Sequence, residues 1–142
     1  MLKKMKKSVL IFTAFIMLFS LTTNAQNNNT TKNNYVVLTK KIPQLQPILI
    51  TAEELKKEDG HHFGDFQVIV CGQTVTGLTE KKEMQKYLDR AKKAGVSIKA
   101  CGFSLKKFGV NPEEIPSTME VVDNGILYDF QLQKKGYFSI EL

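Results

Sequence analysis

The chain has 142 residues, 42% of them hydrophobic and 24% charged, with two cysteines and a formal net charge of +6. That is enough for one domain of ordinary size, with the composition of a soluble globular protein. The positive charge does not indicate a nucleic-acid partner. Lys3, Lys4, Lys6 and Lys7 fall in a segment read as removable, and the remainder carries sixteen basic against fourteen acidic residues. No basic stripe or interleaved aromatic pattern for stacking bases is present.

Residues 1–25 resemble a secretory signal: four lysines, an apolar core from Ser8 to Leu21, and Thr23-Asn-Ala25 ending on a small residue. The apolar run is shorter than the ~20 residues of a membrane-spanning helix. Cleavage after Ala25 is expected, leaving no membrane attachment; the alternative is an uncleaved anchor. Export would place the chain in an oxidising compartment where a disulfide persists. Residues 26–34 are Gln, Asn, Thr and Lys with no apolar residue to bury, and they read as a disordered Asn-rich tether.

From residue 35 the pattern becomes that of a folded domain, 35–142. Tyr35 to Thr39 predicts a strand. Leu45, Ile48, Leu49, Ala52 and Leu55 share one helical face, with Pro47 tolerated in the first turn. A competing helix start is Thr51 with Glu54, at capping-box spacing. Phe66 to Cys71 is nearly continuous apolar sequence, as in a strand covered on both faces. Gly72 to Leu78 reads as a loop, and Thr79 as the start of a helix with Met84, Leu88 and Ala91 inward and Gly95 as its stop. Val96, Ile98 and Ala100 alternate with Ser97 and Lys99 in a third strand. Cys101 follows, then a short helix with Leu105 and Phe108, closed by Gly109. Asn111 to Pro116 reads as one capped turn, and Met119 to Val122 as a strand. Asp123-Asn124-Gly125 turns into a helix carrying Ile126, Leu127 and Phe130, and Tyr137 to Leu142 is a last strand. Alternating strands and helices predict an α/β fold with a mainly parallel sheet of about five strands.

In such sheets ligands bind outside the carboxyl ends of the strands. Three loops reach that edge: Cys71 to Thr79, Cys101 to Ser104, and Asp123 to Gly125. Both cysteines lie there. Cys101 sits where a strand ends and a helix begins, and free amides at a helix start favour thiolate over thiol. The other reading is a small buried hydrophobe at a turn. Neighbouring strands about 4.8 Å apart suit a disulfide, which tolerates Cα separations of roughly 4.4–6.8 Å, provided the two side chains share a face. His61-His62 lacks any supporting ligand motif, and Gly72 to Gly77 lacks the lysine of a phosphate loop, so no metal or cofactor is expected.

The stretch Cys101, Lys106-Lys107, Gly109-Val110, followed by Glu120 to Leu127 and Leu132 to Ile140, resembles the DsrE/DsrF-like proteins, which include the TusD sulfur-relay subunits. The resemblance covers about Tyr35 to Leu142 and implies a three-layer α/β/α sandwich of the DsrEFH kind. It also implies self-association as a trimer or hexamer, and sulfur-donor and sulfur-acceptor partner proteins. By the same resemblance Cys101 carries sulfur as a persulfide, with Cys71 as a second thiol. Gly102, Phe103 and Ser104 would stabilise the negative sulfur, and Gly72, Gln73, Thr74, Asn124 and Gly125 would form the rim. Together with the signal-like segment, it points to a bacterial periplasm. Cys71-Gly72 departs from many relatives, which have another residue, often histidine, before that glycine. Two further readings stand beside sulfur transfer: a non-catalytic binding or assembly module with structural or buried cysteines, and a redox dithiol.

Overall fold

The computed structural model describes residues 31–142. The signal-like segment and most of the tether lie outside the described residues. Five strands, β1 (Asn33–Thr39), β2 (Phe63–Val70), β3 (Val96–Cys101), β4 (Glu120–Val122) and β5 (Phe138–Glu141), form one sheet in the order β4-β3-β2-β1-β5. Every pairing is parallel. Four α-helices accompany them: α1 (Leu45–Asp59), α2 (Lys81–Ala94), α3 (Gly102–Lys107) and α4 (Gly125–Gln133).

The strand order dictates the layers. From β1 to β4 the chain steps across the sheet in one direction; from β4 to β5 it returns past three strands. Right-handed crossovers running in opposite directions place their helices on opposite faces. Two separate cores result. On one face, Val37, Phe66, Val68, Val70, Ile98 and Ala100 pack with Leu49 of α1, Met84 of α2 and Leu105 of α3. On the other, Val36, Leu38, Ile69, Cys71, Cys101 and Val122 pack with Leu132 of α4. The strict alternation along β1, β2 and β3 is the period-2 pleat of strands covered on both sides.

The local sequence explains most boundaries. α1 begins at Leu45 with Pro47 in its first turn and buries Leu45, Ile48, Leu49 and Ala52. Thr51, the competing start, lies inside the helix, its hydroxyl donating to the Pro47 carbonyl at 3.0 Å. α3 ends in a Schellman arrangement, in which the Val110 N–H reaches the Leu105 carbonyl at 2.9 Å and the Gly109 N–H the Lys106 carbonyl at 3.4 Å. That geometry requires the left-handed backbone of Gly109, φ +68°. Asn111 closes a capping box with Glu114 over the turn Pro112–Glu114.

Three expectations change. The stretch read as tether contributes Asn33 and Asn34 to β1, where Asn33 donates to Asp59 at 3.0 Å and Asn34 accepts from the Asp65 N–H at 2.8 Å. The side-chain amides fill backbone and carboxylate partners that an apolar residue would leave empty. The loop after β2 is a 3-10 helix, Gln73–Thr79, anchored by buried Val75 and Leu78. Thr79 therefore does not cap α2. Its hydroxyl turns back to the Thr76 carbonyl at 2.9 Å, and Glu80 occupies the cap position.

Candidate active site

Loops that diverge at the carboxyl edge of a parallel sheet leave a crevice, and this occurs where successive connections leave to opposite faces. Here that point lies between β3 and β4. The connection after β3 runs to the face of α1 and α2, and the one after β4 becomes α4 on the other. Cys101 is the last residue of β3, paired with Val122 of β4. Cys71 directly follows β2, whose Val70 pairs with Ala100, so the two cysteines stand side by side in register. Both point to the face of α4. They are free thiols, 5% and 3% exposed for Cys71 and Cys101.

Polar groups converge on one of these sulfurs. The Gly125 N–H, at the first turn of α4, donates to Cys101 Sγ at 3.2 Å. The Ser104 hydroxyl also donates to that sulfur, while its oxygen accepts the Gly72 N–H at 2.9 Å. Burial acts against ionising Cys101. The Ser104 hydroxyl, the Gly125 and Ser104 N–H groups and the Cys71 thiol outweigh it, and the Cys101 pKa falls below its ordinary value. The Ser104 N–H contributes without closing a helix-capping bond. For Cys71 the balance is opposite. Burial, the neighbouring Cys101 charge and the hydrogen bond given to Cys101 push its thiol up to about 12, and Lys40 offsets only part of that. The pair is thus asymmetric: Cys101 is the thiolate and Cys71 its proton-bearing neighbour.

A cleft of about 510 Å³ opens above the sulfurs. Of the residues expected at the site, Cys71, Cys101, Gly72, Phe103, Ser104 and Asn124 line it. Gly125 lies beneath, buried against Cys71 and Ile69. Gly102 is the first residue of α3. Gln73 and Thr74 fall outside the cleft, and Thr74 instead accepts the Ile42 N–H at 3.2 Å, tying down the chain after β1. The Phe103 amide does not stabilise sulfur, because it donates to the Asp123 carbonyl at 2.8 Å. Its ring, 60% exposed, forms part of the mouth.

Sequence reasoning missed Lys40, Asp129 and Glu141, which also line the cleft. Lys40 and Glu141 form an ion pair, and Asp129 accepts from Ser139 and Gln133 at 2.8 Å each. Lys40 was findable, since it directly follows a strand whose carboxyl end faces the site. Asp129 was not, because it depends on how α4 rolls against the sheet. His61 and His62 precede β2, at the opposite end of the sheet from the sulfurs. Among the described residues no group of three or more His, Cys, Asp or Glu side chains gathers to hold a metal.

A wholly parallel five-stranded sheet with a polarised cysteine at its crevice defines an open α/β protein with thiol chemistry available at one edge. The chain belongs to the DsrE/DsrF-like family, whose sequence profile matches residues 65–140. Among solved structures, it is similar to a protein of unknown function from Methanobacterium thermoautotrophicum, with a TM-score of 0.62 and 16% identity over 78% of this chain and 100% of that one. A conserved protein of unknown function from Bacteroides thetaiotaomicron is similar at a TM-score of 0.60 and 18% identity, over 78% of this chain and 95% of that one. At such identities these two carry the fold alone. No curated protein matches the chain.

Proposed function

We propose that this protein is an exported sulfur carrier whose Cys101 accepts and passes on sulfur as a persulfide. The observation that carries the reading is the set of donors trained on one sulfur: the Ser104 hydroxyl and the Gly125 amide, with the Cys71 thiol beside them. The Cys101 thiolate attacks the outer sulfur of a donor persulfide, and the donor thiolate leaves. An acceptor thiolate then attacks the sulfur held on Cys101, and Cys101 leaves as thiolate. A lowered pKa helps both steps, by raising the thiolate fraction and by improving the leaving group. Donor and acceptor are proteins that present a cysteine to the cleft. Export rests on the signal-like residues 1–25 and makes the site of action the periplasm.

The test is direct. The reduced chain is incubated with a low-molecular-weight persulfide donor, and the modified residue is located by peptide mass mapping. Sulfur is expected on Cys101 and absent from Cys101→Ser. A folded wild-type protein whose Cys101 stays unmodified refutes the proposal.

A second reading, a non-catalytic binding or assembly module, is favoured by the burial of both thiols. It predicts no thiol titratable in the native state, before or after mild reduction.

Self-association as a trimer or hexamer belongs to the same proposal. β5 is an edge strand, and its Phe138 and Ile140, 62% and 55% exposed, project from the face that α1 and α2 leave uncovered at that edge. An open edge bearing apolar side chains invites pairing with another chain. Light scattering on the mature protein is expected to give a multiple of the monomer mass that falls on Phe138→Glu substitution. A monomer at all concentrations removes this part.

A further inference from the structure

The reading above leaves Cys71 without a task, and its position supplies one. Cys71 and Cys101 occupy matching positions on adjacent strands, on one face. Their sulfurs lie within hydrogen-bonding reach, with the Cys71 thiol as donor. Gly125 covers both at once: a Cβ there would lie 2.4 Å from Cys71 Sγ and 3.3 Å from Cys101 Cβ. The cleft, in contrast, opens on the far side of Cys101 toward Phe103 and Asn124. A sulfur added to Cys101 has room only in the cleft. Cys71 then faces the inner sulfur, with the outer sulfur directed away from it, which is the alignment displacement at sulfur requires.

We propose that Cys71 is a resolving thiol that converts the Cys101 persulfide into a Cys71–Cys101 disulfide and releases hydrogen sulfide. The inference rests on the persulfide reading and deepens it. In the step, Cys71 sulfur bonds to the inner sulfur of Cys101 and the bond between inner and outer sulfur breaks. The outer sulfur leaves with the bonding pair and, with its own hydrogen and the Cys71 proton, departs as hydrogen sulfide. The outer sulfur is reduced, and the two cysteine sulfurs are oxidised to the disulfide. An external dithiol returns the pair to its reduced form by thiol–disulfide exchange. Because Cys71 holds its proton strongly, the step is slow near neutral pH. A persulfide thus survives long enough to meet an acceptor thiol, and sulfide release disposes of it when none arrives.

The experiment uses the full chain, reduced and desalted, then loaded with inorganic polysulfide and desalted again in the absence of other thiols. Released sulfide and intact mass are followed over time. Wild type is expected to gain one sulfur, lose it as stoichiometric sulfide, and end lighter than the reduced chain by the hydrogens lost to the disulfide. Cys71→Ala and Cys71→Ser are both expected to keep the added sulfur, with sulfide release at background. Peptide mapping of the wild-type disulfide needs no variant and guards against misfolded substitutions. If wild type holds its added sulfur as long as the Cys71 variants and forms no disulfide, the resolving role is overturned while loading of Cys101 stands. If Cys101 takes no sulfur in wild type or in the Cys71 variants, both ideas fall together.

Discussion

Replacing Gly125 with alanine is expected to destabilise the domain by about 1–3 kcal/mol, the usual range for overpacking a tight interior, and to slow alkylation of Cys101. The added methyl would lie 2.4 Å from Cys71 Sγ and 2.8 Å from Ile69 Cγ2. Neither neighbour yields easily, because both belong to the ends of central strands and are at most 5% exposed. Relief must come from α4 lifting away from the sheet. Its start is pinned by the Asn124 side chain, which accepts the Ile126 and Leu127 amides at 3.0 and 3.2 Å. Alanine gains up to ~1 kcal/mol over glycine in a helix interior, less at the first helical position, so that term does not offset the clash. As the helix lifts, the Gly125 N–H withdraws from Cys101 Sγ, and the sulfur loses one of the donors that lower its pKa. Urea unfolding and the rate of iodoacetamide labelling read the two effects independently. An unchanged midpoint together with an unchanged labelling rate would show that the packing at Gly125 is not as tight as the contacts imply.

What the sequence disclosed about this site, and what it withheld, divides along range. Local signals located the elements: the apolar run from Phe66, the alternation from Val96, and the glycines after α1, α2 and α3. Those signals also put Cys101 at the end of a strand facing the functional edge. They pointed to the wrong amide, however. A cysteine before a short helix suggests the first amides of that same helix, but Phe103 donates to Asp123, and the amide that meets sulfur comes from Gly125. That contact exists because the return connection carries α4 across the opposite face, a fact of topology rather than of neighbouring residues. The shared face of the two cysteines was hidden for a similar reason. It depends on the register between β2 and β3, which the intervening 3-10 helix and α2 set. α4 itself misled by composition. Ile126, Leu127 and Phe130 are all more than half exposed, while Asp129 is buried. A helix with apolar residues around its whole circumference has no sequence-marked inner face.

Replacing Ser104 with alanine is expected to raise the Cys101 pKa, and the pH profile of alkylation shows it with a definite sign. The Ser104 hydroxyl is the strongest of the groups that lower this pKa, so its removal leaves burial less opposed. The rate rises as the thiol ionises, and in the variant that rise moves to higher pH. An upward shift of about one pH unit reduces the thiolate fraction, and with it the neutral-pH rate, roughly tenfold. Cys71, held near 12, does not titrate in the window being read. Gly72 is only half-buried, so water can replace the acceptor that its N–H loses, and the fold should persist. The alkaline plateau separates an electrostatic effect from damage. A thiolate of higher pKa is the better nucleophile once formed, so the variant should equal or exceed wild type there. A profile with the same midpoint and a lower plateau would mean that Ser104 shapes the cleft without polarising the sulfur.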